Sequence, residues 1–247
     1  IILGKKTGIA PGANWIGCVN LARNLGNPSV YLNCMQFMLA PYPQNGDPFR
    51  DGDPTRSAMV LNNSWGCPDI EGCDPRSLMA AVDALRAAGI FVVASAGNSG
   101  EAGCGSVQDP PAIYQHAYTV GALDSGGNLA SFSSLGPVTV DASERVKPDI
   151  VAPGVGVLST FPGSTYQVLD GTSMAGPHVV GVVALMWSAN PALIGDIDQT
   201  QAILDQTARP YNGTLPACAQ AGGKPNDAVG WGVVDAYQAV TSALKAK

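Results

Sequence analysis

Three short glycine-bearing stretches hold the residues best suited to chemistry: Asn62 to Gly66, Ser95 to Gly100 and Gly171 to Gly176. The third is the most informative. Asp170-Gly171-Thr172-Ser173-Met174-Ala175-Gly176-Pro177-His178 runs directly into the apolar run Val179 to Trp187. Glycine before Ser173 and small residues after it let the chain turn tightly into a helix. Pro177 is expected in the first turn or so, where few intrahelical donors are lost. A serine placed there faces unpaired N–H groups and the positive end of a helix dipole, which favour negative charge. Attack by a serine oxygen creates such a charge on a substrate carbonyl oxygen. Taken alone, however, a serine in this setting reads first as the cap of a buried helix.

Other chemistries are poorly served. None of the three loops has the GxxxxGK[ST] spacing that cradles phosphates, and no GxGxxG opens a helix. Cys67 and Cys73 stand too far apart for a zinc knuckle, no second pair matches them, and His116 and His178 sit in unrelated contexts. The Asp47, Asp51 and Asp53 cluster lacks the spacing and closing glutamate of an EF-hand and reads as a solvated loop. Net charge is -6 with a pI near 4.7, so the basic footprint of a nucleic-acid binder is missing. No apolar run approaches the roughly 18 residues of a membrane span. With 46% hydrophobic and 13% charged residues, intrinsic disorder is excluded. Six cysteines in a lysine-poor chain fit an exported, disulfide-bonded protein, with buried free thiols as the alternative. Of the many possible pairings only Cys67–Cys73, closing a short loop, suggests itself.

These residues need a scaffold, and the pattern supplies one. Ala13 to Val19, Met59 to Trp65, Ile90 to Ala94, Tyr118 to Ala122 and Ile150 to Ala152 read as strands; the near-continuous apolar runs suit strands covered on both faces. Val30 to Leu39, with Val30, Cys34, Phe37 and Met38 on one stripe, reads as a helix. So does Ser77 to Ala88, with Leu78, Val82 and Leu85 on one face and Gly89 as its stop. Ile197 to Thr207 and Val234 to Leu244 read as closing helices. The expectation is a layered α/β domain with a mainly parallel sheet, its chemistry in loops at the carboxyl ends of the strands.

The motifs together are more specific than any one. Gly171-Thr172-Ser173-Met174-Ala175-Gly176-Pro177-His178-Val179 resembles the nucleophile signature of subtilisin-like serine proteases, the subtilases. Asn62-Asn63-Ser64-Trp65-Gly66 resembles their substrate-binding edge. Ala94-Ser95-Ala96-Gly97-Asn98 is similar to the segment bearing the oxyanion asparagine. Lys147-Pro148-Asp149-Ile150-Val151-Ala152-Pro153-Gly154 and Gly230-Trp231-Gly232-Val233-Val234-Asp235-Ala236 resemble two further family segments in the same order.

The resemblance implies a three-layer subtilisin-like α/β domain over 1–247 that hydrolyses peptide bonds through a serine acyl-enzyme. Ser173 would be the nucleophile; Asn98 and the Ser173 amide would be the oxyanion donors. Ser64, Trp65 and Gly66 would pair with an extended peptide or protein substrate. Loss of the corresponding asparagine costs subtilisin itself roughly 10²–10³ in kcat. Asn98 otherwise reads as a turn residue. Asp109 falls near the family's position at the base of the pocket for the residue before the scissile bond, where a carboxylate would favour Arg or Lys. Its alternative is a turn-forming Asp before Pro110-Pro111. No cofactor is required. Calcium is allowed as a structural ion, with Asp149 and the carbonyls of Ala112, Tyr114 and Ala117 similar to a cation site in some relatives; the alternative is a strand-end Asp holding a loop.

The family order is Asp, His, Ser. Here the chain opens at Thr7-Gly8-Ile9-Ala10-Pro11-Gly12, which resembles the strand just after the family's histidine helix. The expectation is therefore an incomplete catalytic domain, its aspartate and histidine supplied by an N-terminal companion segment. His178, about one and a half helical turns past Ser173, points elsewhere, and nothing brings His116 near. The alternative is a non-catalytic peptide-binding module. An α/β-hydrolase esterase fits poorly, since its nucleophile elbow reads GxSxG. A secreted or extracytoplasmic location is expected.

Overall fold

A computed structural model describes residues 1–219 and 223–246. Asn27 caps α1 (Pro28–Leu39), accepting from the Val30 amide, and Pro28 occupies its first turn. Then follow β1 (Val60–Asn63), α2 (Met79–Ala87), β2 (Phe91–Ser95), β3 (Tyr118–Leu123) and β4 (Ile150–Pro153). An antiparallel hairpin, β5 (Val157–Phe161) and β6 (Thr165–Leu169), leads into α3 (Thr172–Ala189). Asp196 and Asp235 cap α4 (Ile197–Thr207) and α5 (Ala236–Ala243).

Strands β1 to β4 form one parallel sheet in chain order, with Asn63 beside Ala94, Ser95 beside Val120 and Ala122 beside Ala152. Alternation decides the layers. Phe91 and Val93 point toward the core shared with α3, α4 and α5, whereas Val92 and Ala94 point toward α1 and α2. The central strands are buried along their length, which is why they read as unbroken apolar runs. The result is a three-layer α/β domain.

Four strand expectations stand within a residue or two. Ala13 to Val19 does not: it forms no strand, and Trp15 and Val19 are exposed. A strand is a property of a pair of backbones, and no described segment hydrogen-bonds to residues 14–19. The buried face of α1 is also rotated from the expected stripe, to Tyr31, Cys34, Met35 and Met38. The surface hairpin is the element missed. Its residues are mostly exposed, so no core-facing pattern marks it. Three disulfides form: Cys18–Cys34, the expected Cys67–Cys73, and Cys104–Cys218.

Candidate active site

Helix α3 begins one residue before Ser173, so Ser173 lies in the first turn, where amides have no intrahelical partner. Gly171 makes this start possible. Its φ of 147° suits glycine, and its amide donates to the Gly154 carbonyl at 2.8 Å. Pro177 falls in the second turn and not the first. Having no N–H, it leaves the Ser173 carbonyl without its usual i+4 donor. The Ser64 hydroxyl fills that role at 2.9 Å. In return Ser173 Oγ donates to the Ser64 carbonyl at 3.2 Å. Asn62 Nδ2 donates to Ser64 Oγ at 2.9 Å and completes the lock.

Asn98 reaches the same place from the loop after β2. Its Oδ1 accepts from both the amide and the hydroxyl of Thr172, each at 2.9 Å. Thr172 is held in turn: its Oγ1 accepts from the Gly97 amide at 3.2 Å, and its carbonyl accepts from Ser95 Oγ at 3.1 Å. With the oxygen end committed, the amide nitrogen is the end left to donate. A Cβ built on Gly171 would lie 3.5 Å from Asn98 Nδ2 and 3.7 Å from the Ser173 amide. Two nitrogen donors, with Met174 Sδ, therefore lie within 3.7 Å of one point beside Gly171. Thr172 stood in the quoted motif, yet spacing alone offered no signal of its role.

The edge Ser64-Trp65-Gly66 continues from β1, and the Cys67 amide donates to the Pro110 carbonyl at 2.8 Å, setting this edge beside the Asp109 turn. A Cβ on Gly66 would sit 3.0 Å from the Asp109 Cβ and 3.3 Å from its Oδ2. Partial desolvation first, and then the charges of Asp69 and Glu71, raise the Asp109 carboxyl above its ordinary value. Contacts thus run from Asn98 through Thr172 and Ser173 to Ser64, and from Gly66 to Asp109.

It also shows a support that went unnoticed. Trp65 stacks on buried Tyr31, ring centroids 4.0 Å apart and planes within 7°. Tyr31 donates to Glu71 Oε2 at 2.6 Å, and the other Glu71 oxygen accepts from the Gly26 amide at 2.9 Å. Glu71 sits in the loop closed by Cys67–Cys73, so that disulfide braces the aromatic pair beside the edge.

Neither histidine approaches Ser173. His178 Nδ1 bonds to the Met174 carbonyl at 2.8 Å, and burial lowers its pKa. His116 pairs with Asp83 at 2.8 Å on the surface. Among the described residues Ser173 Oγ has a carbonyl as its hydrogen-bond partner, and no base.

The Asp149 corner holds a cation of the protein's own. Lys147 is 1% exposed, and its ammonium donates to Asp149 Oδ2 at 2.6 Å and to the Ala117 carbonyl at 2.7 Å. The same Asp149 oxygen accepts from the Thr119 amide at 2.6 Å. Thr119 Oγ1 donates to the Ala112 carbonyl at 2.7 Å. Calcium gathers six to eight oxygens, and those expected to hold one already serve protein donors around a fixed positive charge. The residues present do not fit the ion.

Comparisons with known proteins point to one family. A profile described as "Subtilase family" matches residues 1–232. Bacillopeptidase F of Bacillus subtilis (strain 168) is 39% identical over 245 residues, which is 96% of this chain and 16% of that protein. Subtilisin DY of Bacillus licheniformis is 46% identical over 134 residues, 54% of this chain and 44% of that protein. M-protease of Shouchella clausii (strain KSM-K16) is 47% identical over 133 residues, 54% of this chain and 30% of that protein. The chain therefore spans less than half the length of each of these relatives.

Proposed function

The chain belongs to the subtilase family, and on that premise we propose that it carries the nucleophile, oxyanion donors and substrate edge of a serine endopeptidase. Its catalytic aspartate and histidine come from a separate N-terminal segment. The observation that carries this reading is the pairing at Ser173: a serine in the first turn of α3 beside Asn98, whose oxygen is held by Thr172. Ser173 Oγ attacks the scissile carbonyl and gives its proton to the histidine of the companion. Asn98 Nδ2 and the Ser173 amide receive the charge that develops on the carbonyl oxygen. The Ser64–Gly66 edge takes the substrate main chain by strand addition. Asp109, flanked by Asp69 and Glu71, selects a basic side chain before the scissile bond.

Two features support a companion. No described strand pairs with the outer edge of β1. Asn62 Oδ1 is buried beside Ser64 and finds no partner among the described residues, an arrangement that costs stability unless another donor arrives. Three disulfides support a secreted setting.

Fluorophosphonate labelling, read by intact mass with and without the upstream segment, tests the proposal, with Ser173→Ala as control. Stoichiometric labelling that needs both the segment and Ser173 is the expected result. Absence of labelling in the folded, reconstituted protein refutes the enzyme and leaves a peptide-binding module.

A further inference from the structure

The loop from Ala112 to Ala117 follows Asp109 and turns its carbonyls inward. Three protein cations or donors hold it: Lys147 on Ala117, Thr119 on Ala112, and the Arg145 guanidinium on the Ile113 carbonyl. Of the two cations only Lys147 is fully buried. Asp149 is its ion-pair partner, Asp205 adds negative charge nearby, and Arg145 adds positive charge. A buried ammonium is tolerated only where opposite charge and acceptors meet it, and here both do.

We propose that Lys147 is a built-in cation site: its ammonium stands where a divalent ion would otherwise gather Asp149 and the inward carbonyls, and it holds the loop behind Asp109 without metal. The ion and the ammonium exclude each other, because both need Asp149 Oδ2 and the Ala117 carbonyl and both are positive. Shortening the side chain should free these oxygens and convert an ammonium site into a weak calcium site. This inference does not depend on the enzymatic reading, since it concerns how the loop is held.

Hydrogen exchange of peptides covering residues 112–119 tests it, measured in EDTA and in millimolar calcium chloride. In the unsubstituted protein the exchange should be the same in both. Lys147→Ala should exchange about tenfold faster in EDTA, as local opening becomes easier, and calcium should recover most of that protection. Lys147→Met keeps the apolar stem and fills the space, so it should lose protection that calcium does not restore. Calcium that slows exchange in the unsubstituted protein would overturn the proposal, because metal would then share the corner with Lys147. An alanine variant that exchanges at the original rate in EDTA would overturn it as well, as would one that calcium leaves unprotected. If the alanine variant does not fold, the unsubstituted protein and Lys147→Met still decide: Lys147→Met at the original rate refutes the holding role.

Discussion

Thr172→Val is the sharpest probe of the oxyanion arrangement, because it removes one oxygen and keeps the shape. That oxygen makes two bonds, a donation to Asn98 Oδ1 at 2.9 Å and an acceptance from the Gly97 amide at 3.2 Å. Asn98 would keep a single anchor, the Thr172 amide at 2.9 Å. A hydrogen bond of this kind contributes about 0.5–1.5 kcal/mol net. If that energy is what holds the carboxamide in place, kcat should fall roughly 2- to 10-fold, since about 1.4 kcal/mol is tenfold in rate. The loss should stay below the roughly 10²–10³ that removal of the whole donor costs subtilisin. KM should not move, because the donors act on charge that appears in the transition state. The assay is steady-state hydrolysis by the enzyme assembled with its upstream segment, in a cycle with Asn98→Ala. Within that cycle Thr172→Val should cost nothing further once Asn98 is gone. A full additive loss in the double variant would refute the reasoning, because Thr172 would then act through something other than Asn98.

Two further outcomes follow from the charged groups. Asp109→Ser should reduce cleavage after Arg and Lys relative to apolar residues. The unsubstituted enzyme should lose that preference on acidification, at a pH above the ordinary carboxylate value because desolvation raises this group; an unchanged cleavage ratio in the variant would discard the specificity role. Asp205, desolvated and bonded to the Tyr118 hydroxyl at 2.7 Å, has its pKa raised from 3.8 to about 7. A carboxyl that binds its proton more tightly when folded stabilises most below pH 3.8 and loses that contribution as pH rises toward about 7. Asp205→Asn keeps an acceptor for Tyr118 and should flatten urea-midpoint stability between pH 4.5 and 7; a slope as steep as before would show that another group titrates there.

The local signals in the sequence were sufficient for most of the scaffold. Apolar runs such as Ile90 to Ala94 announce strands covered on both faces, because burying them is favourable wherever they lie along the chain. Glycine and proline mark where such runs stop. The nucleophile segment is legible for the same reason: Gly171, Ser173 and Pro177 act on neighbours within a helical turn or two. The strand readings failed where composition and pairing part company, and the buried stripe of α1 and the turn that holds Pro177 were also displaced. Ala13 to Val19 has strand composition without a described partner, and the β5–β6 hairpin has a partner without a core-facing pattern.

Tertiary structure alone decided which side chains meet. Thr172 and Asn98 lie 74 positions apart, Ser64 and Ser173 109, and Tyr31 and Glu71 40. No periodicity carries such separations, since they are set by the order in which β1 to β4 stack and by the helix that packs against them. The disulfide Cys104–Cys218 spans 114 positions for the same reason. Lys147 shows the limit most plainly. Its sequence neighbours identify Asp149 as a strand-end carboxylate, but whether an ion or an ammonium meets that carboxylate depends on where a flexible four-carbon stem can run. The packing of β3 against β4 determines that path and brings the ammonium to Ala117, 30 positions away.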